Sequence, residues 1–359
     1  GIKMKIAVIG AGLGGCITAM QYDLLGQEVE IYHDPNVPIE RVGQGTTCDV
    51  VSLMCGALNQ NWSHNDIKAT KKWGINYKNW GKKDVYHDFY FHTVSAHYVP
   101  NLLKEQCLKQ YKSIEKNISD PEQEIDADYI FDCRGRPSNL DEYHKLTNPV
   151  NAVSLATGPY DPKLEHTEAI ATPDGWTFVI PNHDSTSYGY LHRSEITPRS
   201  IAEKNFSKFF NAKPDGYLKF DNYIAKNIWR GERTILNGNM LSFLEPLEAT
   251  SGHFYKFVAE STALHLINKF GTRQSINNMV HAQMRKIETF ILWHYLGGSK
   301  YDTPFWRYAK SLPFKPYAEF AAILDQVKRS SYAENIRRQE LYALWYPGSF
   351  DNWTQTQEV

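Results

Sequence analysis

The stretch MKIAVIGAGLGGCITAMQYDLLGQEVEIYHD, residues 4–34, leaves the chain few ways to begin folding. An Ile- and Val-rich run meets a glycine turn, a helical pattern with small residues on one face follows, and a second β-type run closes the unit. Two strands joined through a helix lie parallel, so this is a βαβ unit. Gly10, Gly12 and Gly15 supply GxGxxG spacing. The first glycine permits the tight turn, the second lets a pyrophosphate approach the backbone, and the third lets helix and strand pack closely. The spacing predicts a dinucleotide site; the plainer alternative is a close-packed turn. Where the second strand ends, an acid ordinarily binds the ribose hydroxyls, but here His33 is followed by Asp34. Either side chain could take that role, and His33 could equally be an ordinary strand-end residue.

At 359 residues the chain has room for two to three domains or one interleaved two-domain enzyme. Its formal net charge is -1 with no long block of either sign, which argues against a nucleic-acid or anionic-membrane partner. No apolar run approaches the roughly 18 residues a membrane span needs, and the N-terminus runs into a strand without a signal pattern, so a cytoplasmic location is expected. Cys16, Cys48, Cys55, Cys107 and Cys133 form no CxxC pair, and the 13 histidines show no HExxH. Neither a disulfide framework nor a metal site is expected.

Further along, ADYIFDCRG (127–135) reads as a late strand of the same sheet, ending in Gly135. ERTILNGNMLSFLEPLEATSG (232–252) reads as a strand, a glycine, an extended loop and a helix start. Both are similar to segments of flavin monooxygenase-like folds, whose FAD domain is assembled from distant pieces of chain. The stretch from about Ala152 to Phe220 is strand-rich, and from Gly252 onward the periodicity is helical. The expected fold is α/β: a FAD-binding Rossmann-like domain of the flavin monooxygenase type, a second, substrate-side β-sheet, and a C-terminal helical region. The expected division is 4–150 for the first part of the FAD domain, 151–220 for the strand-rich subdomain, 221–265 for the return segment and 266–359 for the helical region. Within the second sheet, GWTFVIP (175–181) reads by itself as a buried strand stopping at Pro181.

Several separated stretches converge on one family. GWTFVIP resembles a WxWxIP signature, keeping Trp176, Ile180 and Pro181 with Phe178 in place of the second Trp. FLEPLEATSGHF resembles an EPLEST-G segment at Glu245, Pro246, Leu247, Glu248 and Thr250, with Ala249 where Ser is usual and Ser251 before Gly252. YDTPFW (301–306) resembles another recurring stretch, RVGQGTT (41–47) a modified GVGEAT loop, and TKKWGINYKNW (70–80) a lysine segment whose Asn79-Trp80 anchor puts the lysine at Lys72. In chain order, lysine segment, then tryptophan motif, then EPLEAT, then DTPFW, the motifs resemble the flavin-dependent halogenases of the tryptophan halogenase type, and the likeness spans nearly the whole chain. In tryptophan-specific members a long substrate-covering insertion follows the lysine segment. Here only GKKDVY separates Trp80 from HDFYFH, and the C-terminal end is shorter, which implies an open substrate mouth.

The resemblance implies a two-component enzyme. Reduced FAD, delivered as a cosubstrate by a separate flavin reductase, would use oxygen to convert chloride or bromide to hypohalous acid. The cofactor would lie against Gly10, Gly12, Leu13, Gly14, Gly15, His33 or Asp34, Arg41, Gly43, Gly135, Gly238 and Leu244. Trp176, Phe178, Ile180 and Pro181 would form the wall between flavin and substrate. The halide would sit at Thr250 and Ser251, at the start of the helix after EPLEAT, where free amides and the helix dipole favour an anion. Lys72 would relay the oxidant to an electron-rich aromatic, an indole or phenol, free or carrier-held, while Glu248 would orient the oxidant and accept the ring proton. Taken without the resemblance, Lys72 reads as a surface lysine of KATKK, Glu248 as a helix-start carboxylate and Thr250 as a cap; Lys71 is the rival if the register slips by one. A flavin monooxygenase or oxidase of the same fold is the alternative function, and a flavin-binding scaffold or sensor the third. A homodimer is allowed but not indicated.

Overall fold

The computed structural model describes residues 3–39, 44–61, 64–88, 95–329, 350 and 353–354. The chain divides into two compact units. One comprises Gly1–Thr70, Tyr98–Leu146 and Tyr223–Ala282, the other Lys71–His97, Thr147–Asn222 and Gln283–Val359.

The first unit is built on a five-stranded parallel sheet in the order Thr234–Leu236, Tyr129–Asp132, Lys5–Ile9, Glu28–His33, Lys112–Glu115. Ile6, Ala7 and Val8 are fully buried, as an interior strand covered on both faces requires. The helix Leu13–Leu24 leaves the central strand through the glycine turn. Gly10 adopts φ +100°, and a Cβ at Gly15 would stand 1.9 Å from the Gly10 carbonyl oxygen, so the turn closes only with glycine at both positions. The last strand of the sheet, Thr234–Leu236, comes from the return segment and leads to Gly238, at φ +60°. A small three-stranded sheet, Ser242–Phe243, Tyr223–Ala225 and Tyr143–Lys145, and the helices Cys48–Leu58, Pro100–Gln110 and Ser251–Leu266 complete this unit.

The second unit holds a seven-stranded sheet in the order Gly216–Lys219, Ala152–Pro159, Ser185–His192, Gly175–Pro181, Thr167–Thr172, Gly74–Lys78, Val85–Asp88. All pairings are antiparallel except that of Thr167–Thr172 with Gly74–Lys78. That parallel pairing carries Lys71–His97 into this unit, whereas a reading along the sequence runs this segment on with the first nucleotide-binding stretch. The helices Arg199–Phe210 and Pro304–Ser311 pack within it. Thr303 caps the latter, accepting from the Trp306 amide, while the Trp306 indole donates to the Thr172 carbonyl at 2.7 Å.

The fold is thus the expected mixed α/β arrangement. From residue 251 onward the described elements are helices: Ser251–Leu266, Arg273–Leu296, Pro304–Ser311 and Phe320–Arg329. Among the described residues no helix is long and apolar enough to cross a membrane.

Candidate functional site

In the first unit a cavity of about 860 Å³ opens at the carboxyl end of the parallel sheet. Gly10, Gly12, Leu13 and Gly14 of the glycine turn line it, as do His33, Asp34, Gly135 and Leu244. A Cβ at Gly12 would meet only the Ile39 Cγ2, at 3.9 Å, so the backbone there is open to a ligand. Gly15 and Gly238 do not line the cavity. Gly238 backs the turn instead, since a Cβ on Gly14 would lie 2.3 Å from its Cα. Arg41 and Gly43 lie outside the described residues.

The two ribose candidates, His33 and Asp34, both line the cavity and differ in their neighbouring contacts. The Asp34 Oδ1 accepts from the Asn36 amide at 3.0 Å, a turn bond that occupies one carboxylate oxygen. His33 is 9% exposed on the cavity wall, and its carbonyl accepts from the Lys116 amide at 3.0 Å. Sequence reasoning missed the cationic lining: Lys104, Lys116, Arg134, Arg136 and Arg230. Arg134 is committed, its Nε and Nη2 each donating at 2.9 Å to the Asp132 carboxylate, which holds the guanidinium charged. Arg136 lies over the Phe243 ring at 4.0 Å. The basic pair in DCRGR, just after a strand of the sheet, was the available signal.

The EPLEAT segment folds as a tight turn followed by a helix. Glu248, 6% exposed, has φ 73° and Ala249 φ 54°, two successive non-glycine residues in the left-handed region, a conformation that costs roughly 1–2 kcal/mol per residue. The preceding Glu245 is fully buried and fixes the turn by accepting from the Leu247 amide at 2.8 Å. Thr250 occupies the N-cap of Ser251–Leu266 in a helical conformation and its side chain makes no capping bond. The first amides of this helix are therefore not taken by their own cap. Ser251 lines the cavity.

In the second unit, Lys72 lies on the short strand Thr70–Lys72, paired with Ser95–His97, and is fully buried. Lys71 is exposed, its ammonium 5.5 Å from the centroid of the Trp73 ring. His97 is also fully buried and its Nε2 lies 2.8 Å from the Thr167 hydroxyl. Burial above all, then the charges of Lys72 and His166, push the His97 pKa well below its ordinary value, so the ring is neutral at pH 7.

Every residue of the strand Gly175–Pro181 is buried. Phe178 faces Gly189 across the strand pair, and a Cβ at Gly189 would stand 2.1 Å from the phenyl ring, so the ring fills the space that glycine leaves. The Trp176 and Phe178 centroids are 6.2 Å apart at 62°, and the Trp176 indole N–H has no acceptor among the described residues. A second aromatic cluster, not foreseen from sequence, gathers Tyr77, Trp80, His87, His294 and Trp353. The Trp353 indole donates to the His294 Nε2, while His294 Nδ1 lies 2.6 Å from the Phe290 carbonyl, which fixes the tautomer with its proton on Nδ1.

Comparison with known proteins extends these observations. The tryptophan halogenase family matches this chain over residues 5–118 and 99–356. Tryptophan 7-halogenase RebH from Lentzea aerocolonigenes is 30% identical over 214 residues, which is 52% of this chain and 39% of that protein. The match thus spans about two fifths of the relative's own length. Among solved structures, the lanthipeptide tryptophan 5-halogenase MibH superposes with a TM-score of 0.84 at 17% identity, over 100% of this chain and 86% of that one. The flavin-dependent halogenase BrvH from Brevundimonas sp. BAL3 gives 0.77 at 16%, over 99% and 90%. At these identities the structural likeness is one of fold. The extent of the family match, with the glycine turn and the EPLEAT turn inside it, shows that this chain belongs to the tryptophan halogenase family.

Proposed function

We propose that the chain is a two-component FAD-dependent halogenase acting on an electron-rich aromatic of the indole or phenol type, using chloride or bromide. The observation that carries this reading is Lys72: the lysine picked out by the family motif is fully buried, whereas its neighbour Lys71 is exposed.

The residues lining the first unit's cavity fit a dinucleotide. Gly12 leaves the backbone bare, the helix Leu13–Leu24 begins at the cavity wall with its dipole favouring a pyrophosphate, and Lys104, Lys116 and Arg136 add positive charge. When bound, reduced FAD supplies the oxygen activation that turns halide into hypohalous acid. The buried strand Gly175–Pro181 serves as the partition that keeps flavin chemistry off the substrate. The halide binds at the amino end of Ser251–Leu266. Lys72, enclosed on its buried strand, takes the halogen as a haloamine or holds the oxidant by a hydrogen bond. Glu248 orients the oxidant and accepts the proton that leaves the ring.

The decisive experiment is a mass-spectrometric screen of indoles, phenols and larger aromatics with FAD, a separate flavin reductase and each halide in turn. Halide-dependent products are expected, with bromide preferred when both are offered. Oxygenated products that form equally with and without halide would establish a monooxygenase instead, and flavin turnover that no aromatic alters would leave a flavin-binding scaffold. Rapid NADH or NADPH oxidation by the protein alone would refute the two-component assignment.

A further inference from the structure

The amino end of the helix Ser251–Leu266 rests on a group of side chains that the proposed halide site has not so far used. A Cβ at Gly252, in the first turn of this 16-residue helix, would stand 3.0 Å from the Thr46 Oγ1, 3.3 Å from the Val50 Cγ2 and 3.6 Å from the Ile17 Cδ1. Glycine is what lets the turn come down onto Thr46. Thr46 is fully buried, and its hydroxyl oxygen has no hydrogen-bond partner among the described residues. An unmet buried hydroxyl is costly and rare unless something else completes it.

Next to it, three side chains are linked in series. Thr47 occupies the N-cap of Cys48–Leu58, yet its side chain makes no capping bond and donates instead to the Asp49 Oδ1. The other oxygen, Asp49 Oδ2, lies 2.8 Å from the Nδ1 of His253, in the first turn of Ser251–Leu266. Burial works against the Asp49 carboxylate, but the His253 and Thr47 hydrogen bonds outweigh it and lower its pKa to about 2. The carboxylate therefore stays ionised at pH 7 and its two oxygens tie the amino ends of two helices together. An acceptor with no proton of its own, at the first turn above Thr46, would satisfy both the helix amides and the hydroxyl.

We infer that Thr46 is a ligand of the halide, its hydroxyl donating to an anion that the first amides of Ser251–Leu266 also bind, and that Thr47, Asp49 and His253 position that hydroxyl against the helix. The inference rests on the proposed halide site and adds to it a donor from outside the EPLEAT segment.

The test reads anion binding directly, as the broadening of the bromide NMR line on titration into FAD-loaded protein, alongside melting temperature in halide-free buffer. Wild type should show saturable broadening. Thr46→Val keeps the shape and deletes the donor, so bromide affinity should fall about tenfold while the halide-free protein melts about a degree or more higher, because an unmet hydroxyl has been removed. Thr46→Ser should bind as wild type. His253→Ala should weaken bromide about threefold, and His253→Asn, whose amide can stand in for Nδ1, should restore it. Wild-type affinity in Thr46→Val, or a loss accompanied by a lower melting temperature, overturns the assignment of Thr46. Equal impairment in His253→Asn and His253→Ala overturns the positioning role. Absence of saturable broadening in wild type removes the halide site itself, a failure recognisable because it precedes any substitution.

Discussion

Gly12→Ala and Gly14→Ala should part company, although only one residue separates them. At Gly12, φ is −74° and a new methyl would meet only a side-chain carbon at 3.9 Å, ordinary van der Waals contact. Without ligand, the change should alter stability by no more than about 1 kcal/mol, the scale of an N-cap preference. With ligand, the methyl occupies the face on which a pyrophosphate must approach the backbone, and FAD affinity should fall at least about 30-fold, equivalent to roughly 2 kcal/mol. At Gly14 the methyl would stand 2.3 Å from the Gly238 Cα and 2.9 Å from its nitrogen, both backbone atoms. Reaching a normal carbon–carbon separation of about 3.5–4.0 Å requires the helix and the return segment to move apart by more than about 1 Å. Overpacking of this kind costs about 1–3 kcal/mol or more, of which helix propensity returns about 1 kcal/mol. Urea melts of flavin-free protein and flavin-fluorescence titrations separate the two effects. If Gly12→Ala unfolds as readily as Gly14→Ala, or binds FAD like wild type, then the bare backbone at Gly12 is a packing feature and not a ligand contact.

Lys72→Ala should abolish halogenation with FAD affinity nearly intact, by product mass spectrometry and flavin titration, while Lys71→Ala stays within about twofold; Lys72→Arg should fail too, because a guanidinium stays protonated at working pH. Ala249→Gly should raise stability in urea by up to about 1 kcal/mol, since glycine adopts the left-handed conformation at 249 without steric cost; an unchanged or lower midpoint would contradict this. Asp49 should make stability fall in acid. Its pKa is lowered on folding to about 2, so its contribution is complete above the unfolded-state value near 4 and is lost as pH falls toward 2. Asp49→Asn should therefore flatten the acid limb of the stability curve by about 1–2 kcal/mol, allowing for a side chain that is 32% exposed, as read by urea melts between pH 5 and 2.

The glycine turn was legible because its causes are local: Gly10 needs a positive φ, and the approach of Gly15 to Gly10 lies within one turn of chain. The contact of Gly14 with Gly238 was not, because it joins residues from opposite ends of the first unit's sequence, and only the sheet order brings Thr234–Leu236 beside the central strands. Burial of Lys72 was equally hidden. Its charged neighbours in KATKK argue for a surface, and the enclosing strand at Ser95–His97 lies beyond a stretch with no distinctive pattern. GWTFVIP was readable as a buried strand from its own apolar residues, but its neighbours on either side were not, since those are set by the order of the sheet. The left-handed pair Glu248–Ala249 left no trace, as neither residue type signals a positive φ.

The interleaving of the two units constrains how the chain can acquire its structure during synthesis. It passes from one unit to the other after residues 70, 97, 146, 222 and 282. The parallel sheet cannot close until Thr234–Leu236 has emerged, long after Lys5–Ile9, and the other unit draws on residues from 283 onward. Such non-local pairing makes folding slow and leaves early strands waiting with unpaired edges. No single cut would release either unit as a continuous fragment. Limited proteolysis of the native chain should accordingly yield nicked protein whose pieces stay associated, and neither unit could be borrowed as a stand-alone module by truncation.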